Sequence, residues 1–282
     1  MLALSTRFAS SLPPEQALDH LARSQAEALV LDAGLPPAYW ERAWSVPILA
    51  VEAPSPWTPA SRAMLCSTDR DEARTALEAA LDTVARSAPL GARFVGVWLG
   101  EVRGMEPEWL TARERFLRGQ LDERLARRLM QQRRALGQRP LDVARRALER
   151  LSRVAESEGL TLAVANGRRF TALPDPREID LLLGDLRGAP IVPLFDVAAA
   201  HLPDVMGLQP FAVTEAAFGK APLCYLGDAC GPLGGLPPGR GQLDLGAIAK
   251  KLAPEAARVF SPWSGLTVEE SLRAVAELAR LG

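Results

Sequence analysis

Lysine and histidine are nearly missing from this chain. Of its 282 residues three are lysine (Lys220, Lys250, Lys251) and two are histidine (His20, His201), while thirty are arginine. Two histidines exclude a multi-histidine zinc cluster. Cysteine is scarce too: Cys66, Cys224 and Cys230 are odd in number and lack Cys-x-x-Cys spacing, which predicts free thiols in a reducing, cytoplasmic setting. Charge of one sign is also absent, with 33 basic residues against 34 acidic, so nothing pulls the chain toward nucleic acid or an anionic membrane. Apolar runs stay as short as 94–99, and Arg7 interrupts the first of them, so neither a membrane span nor a secretory leader is expected.

What the chain does have is alternation. Short β-branched or apolar runs at 2–8, 28–32, 47–52, 93–99, 160–165, 190–196, 222–228 and 257–261 each precede a stretch of helical period, at 14–26, 37–44, 69–87, 141–158, 175–186, 197–218, 244–252 and 267–281. Eight strand-then-helix units predict one α/β domain over 1–282, a (β/α)8 TIM barrel. The excess length is concentrated after the fourth strand, where 106–136 reads as an extra helical segment with Trp109, Phe116, Leu117, Leu121, Leu125 and Leu129 at helical spacing. An arginine-rich helical insertion is therefore expected over 103–138. Between Arg103 and Arg153 fourteen arginines face seven acidic residues, a pattern that suits either a protein-partner or anion surface or an ordinary solvated helix face.

A barrel of this type keeps its active site at the carboxyl ends of its strands. The strand ends carry the acids Asp32, Glu52, Glu101, Asp196 and Asp228, the arginines Arg7 and Arg168, and the aromatics Trp98, Tyr225 and Trp263, with Trp57 and Arg240 in neighbouring loops. Asp196, Asp228, Glu101 and Glu52 are the candidate acids and bases. Trp98, Tyr225, Arg240, His201 and Arg7 are the candidate ligand-binding groups, since guanidinium forks and rings suit a small polar or anionic molecule. Any one strand-end carboxylate could instead cap the following helix. The glycine-rich run 231–241 could cradle a phosphate with backbone N–H groups, or simply need glycine geometry.

Several stretches resemble the xylose isomerase-like barrel superfamily, which includes sugar phosphate isomerases and epimerases, inosose dehydratases and endonuclease IV. They are 65–74 leading through a helix to 88–100, Phe195-Asp196 with nearby His201, Asp228, and the Gly-x-Gly run from Leu236 to Asp244. The resemblance implies a divalent metal held by a Glu, an Asp, a His and a Glu at the ends of strands five to eight. At those places this chain has Ala165, Asp196, Tyr225 and Ser261, and Trp98 stands where many relatives carry a strand-four His. Asp196 alone survives, so no metal and no cofactor are expected.

Two functions stay open on this reading. One is a metal-independent isomerase, epimerase or lyase acting on a sugar, sugar phosphate or cyclitol. The other is a noncatalytic barrel serving as ligand sensor or protein-interaction module through 103–138.

Overall fold

The structure, a computed structural model, describes residues 1–9, 12–54, 63–216, 218–262 and 266–281. Among them the strands are β1 (Leu2–Ser5), β2 (Ala28–Asp32), β3 (Ile48–Glu52), β4 (Phe94–Val97), β5 (Gly100–Glu101), β6 (Thr161–Ala165), β7 (Ala172–Leu173), β8 (Ile191–Asp196), β9 (Leu223–Tyr225), β10 (Asp228–Cys230), β11 (Leu233–Leu236) and β12 (Ala257–Phe260). Eight of them, β1-β2-β3-β4-β6-β8-β9-β12, close into a barrel of parallel pairs. The other four form two small antiparallel pairs, β5 with β7 and β10 with β11. The chain is therefore an α/β TIM barrel, as the β-α alternation predicts.

Period-two alternation decides which side chains enter the barrel. Ala3, Ala28, Ala50, Ala163, Ala165 and Ala257 pack inside with Phe94, Leu194, Leu223, Trp98 and Tyr225. Small residues on most strands leave room for two large rings near one end. Trp98 and Tyr225 fill it, their centroids 6.3 Å apart.

The outer layer comprises α1 (Pro14–Ala22), α2 (Pro37–Trp40), α3 (Arg70–Ser87), α4 (Glu106–Leu117), α5 (Glu123–Ser157), α6 (Pro176–Asp185), α7 (Val197–Val205), α8 (Phe211–Glu215), α9 (Leu245–Ala249) and α10 (Val268–Arg280). Aspartates cap α3, α5 and α6 at Asp69, Asp122 and Asp175, and Thr267 caps α10.

The structure corrects several helix boundaries: the expected segment 106–136 is divided between α4 and α5, and 197–218 between α7 and α8. The sequence suggests a break between 136 and 141, but α5 runs through Pro140 as one helix of 35 residues. Proline removes one helical hydrogen bond and crowds the preceding turn. Packing outweighs that here, because Ala126, Leu129, Met130, Arg133, Gly137, Pro140, Ala144, Ala147, Leu148, Leu151 and Ala155 form one continuous buried stripe on either side of the proline. Arg133 in that stripe is fully buried, so it does not belong to a solvated face. It donates to both oxygens of Glu178 and to the carbonyls of Phe170 (3.2 Å) and Ala172 (2.6 Å), tying α5 to β7 and to the first turn of α6.

Candidate functional site

Six barrel strands, β1, β2, β3, β6, β8 and β9, bring one cluster of ionisable groups to the carboxyl end. Glu52 is the last residue of β3 and Tyr225 the last of β9, and both point inward. The Tyr225 hydroxyl donates to Glu52 Oε1 at 2.6 Å. Arg7, in the 3-10 turn Thr6–Ala9 after β1, places Nη2 2.7 Å from Glu52 Oε2, a close ionic contact without hydrogen-bond alignment. Its Nε donates to Asp32 Oδ2 at 3.0 Å, and its guanidinium lies 5.6 Å from the Trp98 ring centroid.

On the other side of Tyr225 stands Asp196, its register partner on β8. Asp196 Oδ1 accepts from Ala199 N at 3.0 Å and so caps α7, while Oδ2 lies 3.9 Å from Nε of Arg168. Asn166, just beyond β6, clamps the Asp196 backbone: its Oδ1 accepts from the amide at 2.8 Å and its Nδ2 donates to the carbonyl at 3.1 Å. That amide side chain continues the parallel pairing past the last ladder pair, Ala165 with Leu194.

Burial sets the electrostatics. The Glu52 side chain is 1% exposed, and desolvation raises its carboxyl above the usual range, against the pull of Arg7. Burial and the Glu52 carboxylate push the Tyr225 phenol well up. Burial opposes the charge on Arg7, but Glu52 and Asp32 outweigh it and hold the guanidinium protonated. Arg168 is 26% exposed, and burial with repulsion from Arg7 brings it down to about 10 despite Asp196.

The remaining candidates fall elsewhere. Glu101 on β5 accepts from Thr171 Oγ1 at 3.0 Å and pairs with Arg169 at 3.5 Å, a second acidic spot whose carboxyl burial raises. His201, on α7, is 9% exposed with Nε2 buried and without a hydrogen-bond partner, and burial lowers its tendency to protonate. Trp57 and Trp263 lie outside the described residues.

Asp228 and Arg240 require correction. The seventh barrel strand ends at Tyr225, so Asp228 opens the separate β10–β11 hairpin. Its buried carboxylate accepts from the backbone amides of Ala229 (2.8 Å), Gly239 (3.0 Å), Gly241 (2.8 Å) and Leu243 (3.1 Å). The anion bound by the glycine-rich loop is thus the protein's own. Gly241 is needed for the fit, since a Cβ there would come 2.3 Å from both Asp228 Oδ1 and the Ala229 carbonyl. Arg240 is exposed and lines an outer groove with Glu270, Arg273 and Glu277 of α10, rather than meeting Asp196 and Tyr225.

The positions that hold a divalent metal by resemblance do not fit one here. Ala165 offers a methyl group, Tyr225 gives its hydroxyl proton to Glu52, Ser261 Oγ is buried without a hydrogen-bond partner, and Asp196 faces a guanidinium. Among the described residues no three His, Cys, Asp or Glu side chains stand together as a metal-binding group.

No protein-family model matches the chain, and no curated protein matches its sequence. Solved structures do match. A D-allulose 3-epimerase from Methylomonas sp. superposes with TM-score 0.69 at 10% identity, over all of this chain and 97% of the other. A D-tagatose 3-epimerase-like protein gives 0.66 at 14%, over 99% and 96%. The TTHB071 protein of Thermus thermophilus, soaked with zinc chloride, gives 0.61 at 23%, over 100% and 98%. With the closed eight-stranded barrel, these superpositions show the fold that this chain shares with those proteins, an α/β TIM barrel.

Proposed function

We propose that the barrel mouth binds a small sugar, sugar phosphate or cyclitol and moves a proton at the carbon beside its carbonyl without a metal. The observation that carries this reading is the Tyr225–Glu52 hydrogen bond of 2.6 Å, flanked by two guanidinium groups at the strand ends. Ionised Glu52 takes the proton, and the C–H electron pair moves to the carbonyl oxygen. The oxyanion meets fixed cations and a phenol instead of bulk water. Return of the proton to the opposite face epimerises, return at the neighbouring carbon isomerises, and loss of a β-hydroxyl is the lyase outcome. Asp196 is the second candidate acid. Trp98 supplies a flat wall for a sugar ring.

The test is solvent deuterium incorporation followed by NMR with a panel of ketoses, ketose phosphates and inososes. Incorporation is expected, with loss in Glu52→Gln. A panel that stays protonated throughout would refute the reading.

A noncatalytic sensor or interaction module is the second reading. It is favoured by the engagement of Glu52, Asp32 and Asp228 with protein partners, and by the exposure of Leu110, Leu117 and Leu136 on the arginine-rich helices. It predicts ligand binding, or capture of a protein through 103–138, with no exchange. Among the described residues no helix is long and apolar enough to cross a membrane. The balance of 33 basic against 34 acidic residues supports a reading without a nucleic-acid partner.

A further inference from the structure

The outer helical layer carries a surface that the barrel mouth does not use, and it stands or falls independently of the sugar site. Between α3 and α5 lies a groove of about 290 Å³. Leu65, Leu77, Val143 and Ala147 are buried or half-buried along its floor, and Arg146 and Arg150 are exposed at its rim. Helical spacing produces this order. Val143 and Ala147 stand one turn apart beside the buried stripe of α5, and Arg146 and Arg150 form the next row outward. Leu136, two turns before Val143 on the same edge of the helix, is 47% exposed.

The charge on this edge is unbalanced. From 139 to 153 five arginines face two acidic residues. Arg145 lies 3.9 Å from Asp185, and Arg153 takes Glu149 at 2.6 Å. On the opposite bank Arg74 pairs with Asp71 at 2.9 Å. Arg146 and Arg150 have neither an ion-pair nor a hydrogen-bond partner among the described residues. Two unpaired cations one turn apart therefore border an apolar trough.

We infer that this groove docks an acidic amphipathic helix of a partner protein. Its apolar side chains enter the trough over Leu77 and Val143, and two of its carboxylates, four residues apart, pair with Arg146 and Arg150. Residues four apart on a helix are separated by about 5–6 Å at Cβ, the same interval on both partners. A second copy of this chain fits poorly, since a symmetric contact brings like charges together. Nucleic acid would meet the arginines and leave the apolar floor unmatched. A bilayer surface is entered by a protruding apolar face, not by a concave one.

The experiment is fluorescence anisotropy on the whole chain with a labelled, stapled peptide that carries leucines at i, i+3 and i+7 and glutamates on its other face. Saturable binding is expected, falling about tenfold or more when the leucines become alanine and vanishing when the glutamates become lysine. Arg146→Glu with Arg150→Glu should weaken the acidic peptide about tenfold or more, and Val143→Glu, which charges the floor and spares both arginines, should weaken it as well. Arg113→Glu with Arg115→Glu makes the same change in net charge on α4 and should leave binding as it was. Thermal unfolding confirms that each variant is folded. Absence of binding, equal loss in the α4 variant, or no loss in Arg146→Glu with Arg150→Glu would overturn the inference. So would tighter binding of a duplex DNA oligonucleotide or of phosphatidylserine vesicles than of the peptide.

Discussion

Tyr225 and Glu52 are 173 positions apart in the chain, and the Tyr225 hydroxyl donates a hydrogen bond to the Glu52 carboxylate across the barrel mouth at 2.6 Å. The phenol stabilises the ionised carboxylate, opposing the desolvation that raises it. In Tyr225→Phe that support is gone, so Glu52 should ionise at higher pH. The pH profile of deuterium exchange should shift to the alkaline side, while Glu52→Gln should show no exchange at any pH. An unshifted profile in a folded Tyr225→Phe would remove Glu52 as the base.

Glu52 also links stability to pH. Its folded-state pKa is raised, so the native barrel tolerates the neutral acid better than the unfolded chain does. Its contribution is fully present below the ordinary carboxyl value and is lost as pH rises through the raised one. Urea unfolding of wild type and Glu52→Gln should therefore diverge as pH rises across that window, the variant keeping more of its acid-side stability.

His201 acts with the opposite sign. Burial favours its neutral form, so its contribution is present above the ordinary histidine value and is lost as pH falls below it. Unfolding measured from about pH 8 down to about 5.5, a range that brackets histidine titration, should show wild type losing more stability than His201→Gln. Parallel curves would show that His201 protonates as easily folded as unfolded.

Asp228→Ala leaves four backbone amides of the loop without their acceptor. A loss of about 2–4 kcal/mol is expected. Amide exchange at Gly239, Gly241 and Leu243 should accelerate well before that of the barrel strands. Gly241→Ala should reproduce the effect by steric means, since its Cβ meets the same carboxylate.

Arg133→Ala strands the Glu178 carboxylate, which also closes the cap of α6 through the Asp175 amide at 2.8 Å. Breaking such a buried pair should cost about 3–5 kcal/mol, and Arg133→Met with Glu178→Leu should recover much of it. Chemical denaturation of the single and double variants decides.

How much of this was legible in the chain differs by residue. Strand ends and their inward direction were readable, because period-two alternation is local: Ala165, Asp196, Tyr225 and Ser261 follow alternate interior positions on their strands. Asp32, Arg7 and Arg168 could be put at the mouth but not paired, since their partners are brought close only by closure of the barrel. Asn166 carries one local signal, an asparagine one residue beyond a strand end, which suits a backbone clamp. Arg133 was hidden by its surroundings: thirteen other arginines between 103 and 153 made it look like surface, and only its membership of the buried stripe sets it apart. Asp228 has the position of a catalytic candidate, beyond the seventh strand, and nothing local shows that amides at 239, 241 and 243 return to it.

That return has a consequence for where the protein can work. Short-range loop closure is often entrusted to cystine, which ties the shape of a loop to the oxidation state of its surroundings. Here a carboxylate does the cross-linking, and Cys230 stands in the same hairpin as a free thiol. The loop should keep its form under glutathione or in air, so reductant can be left out of, or added to, any assay of this barrel without reshaping it.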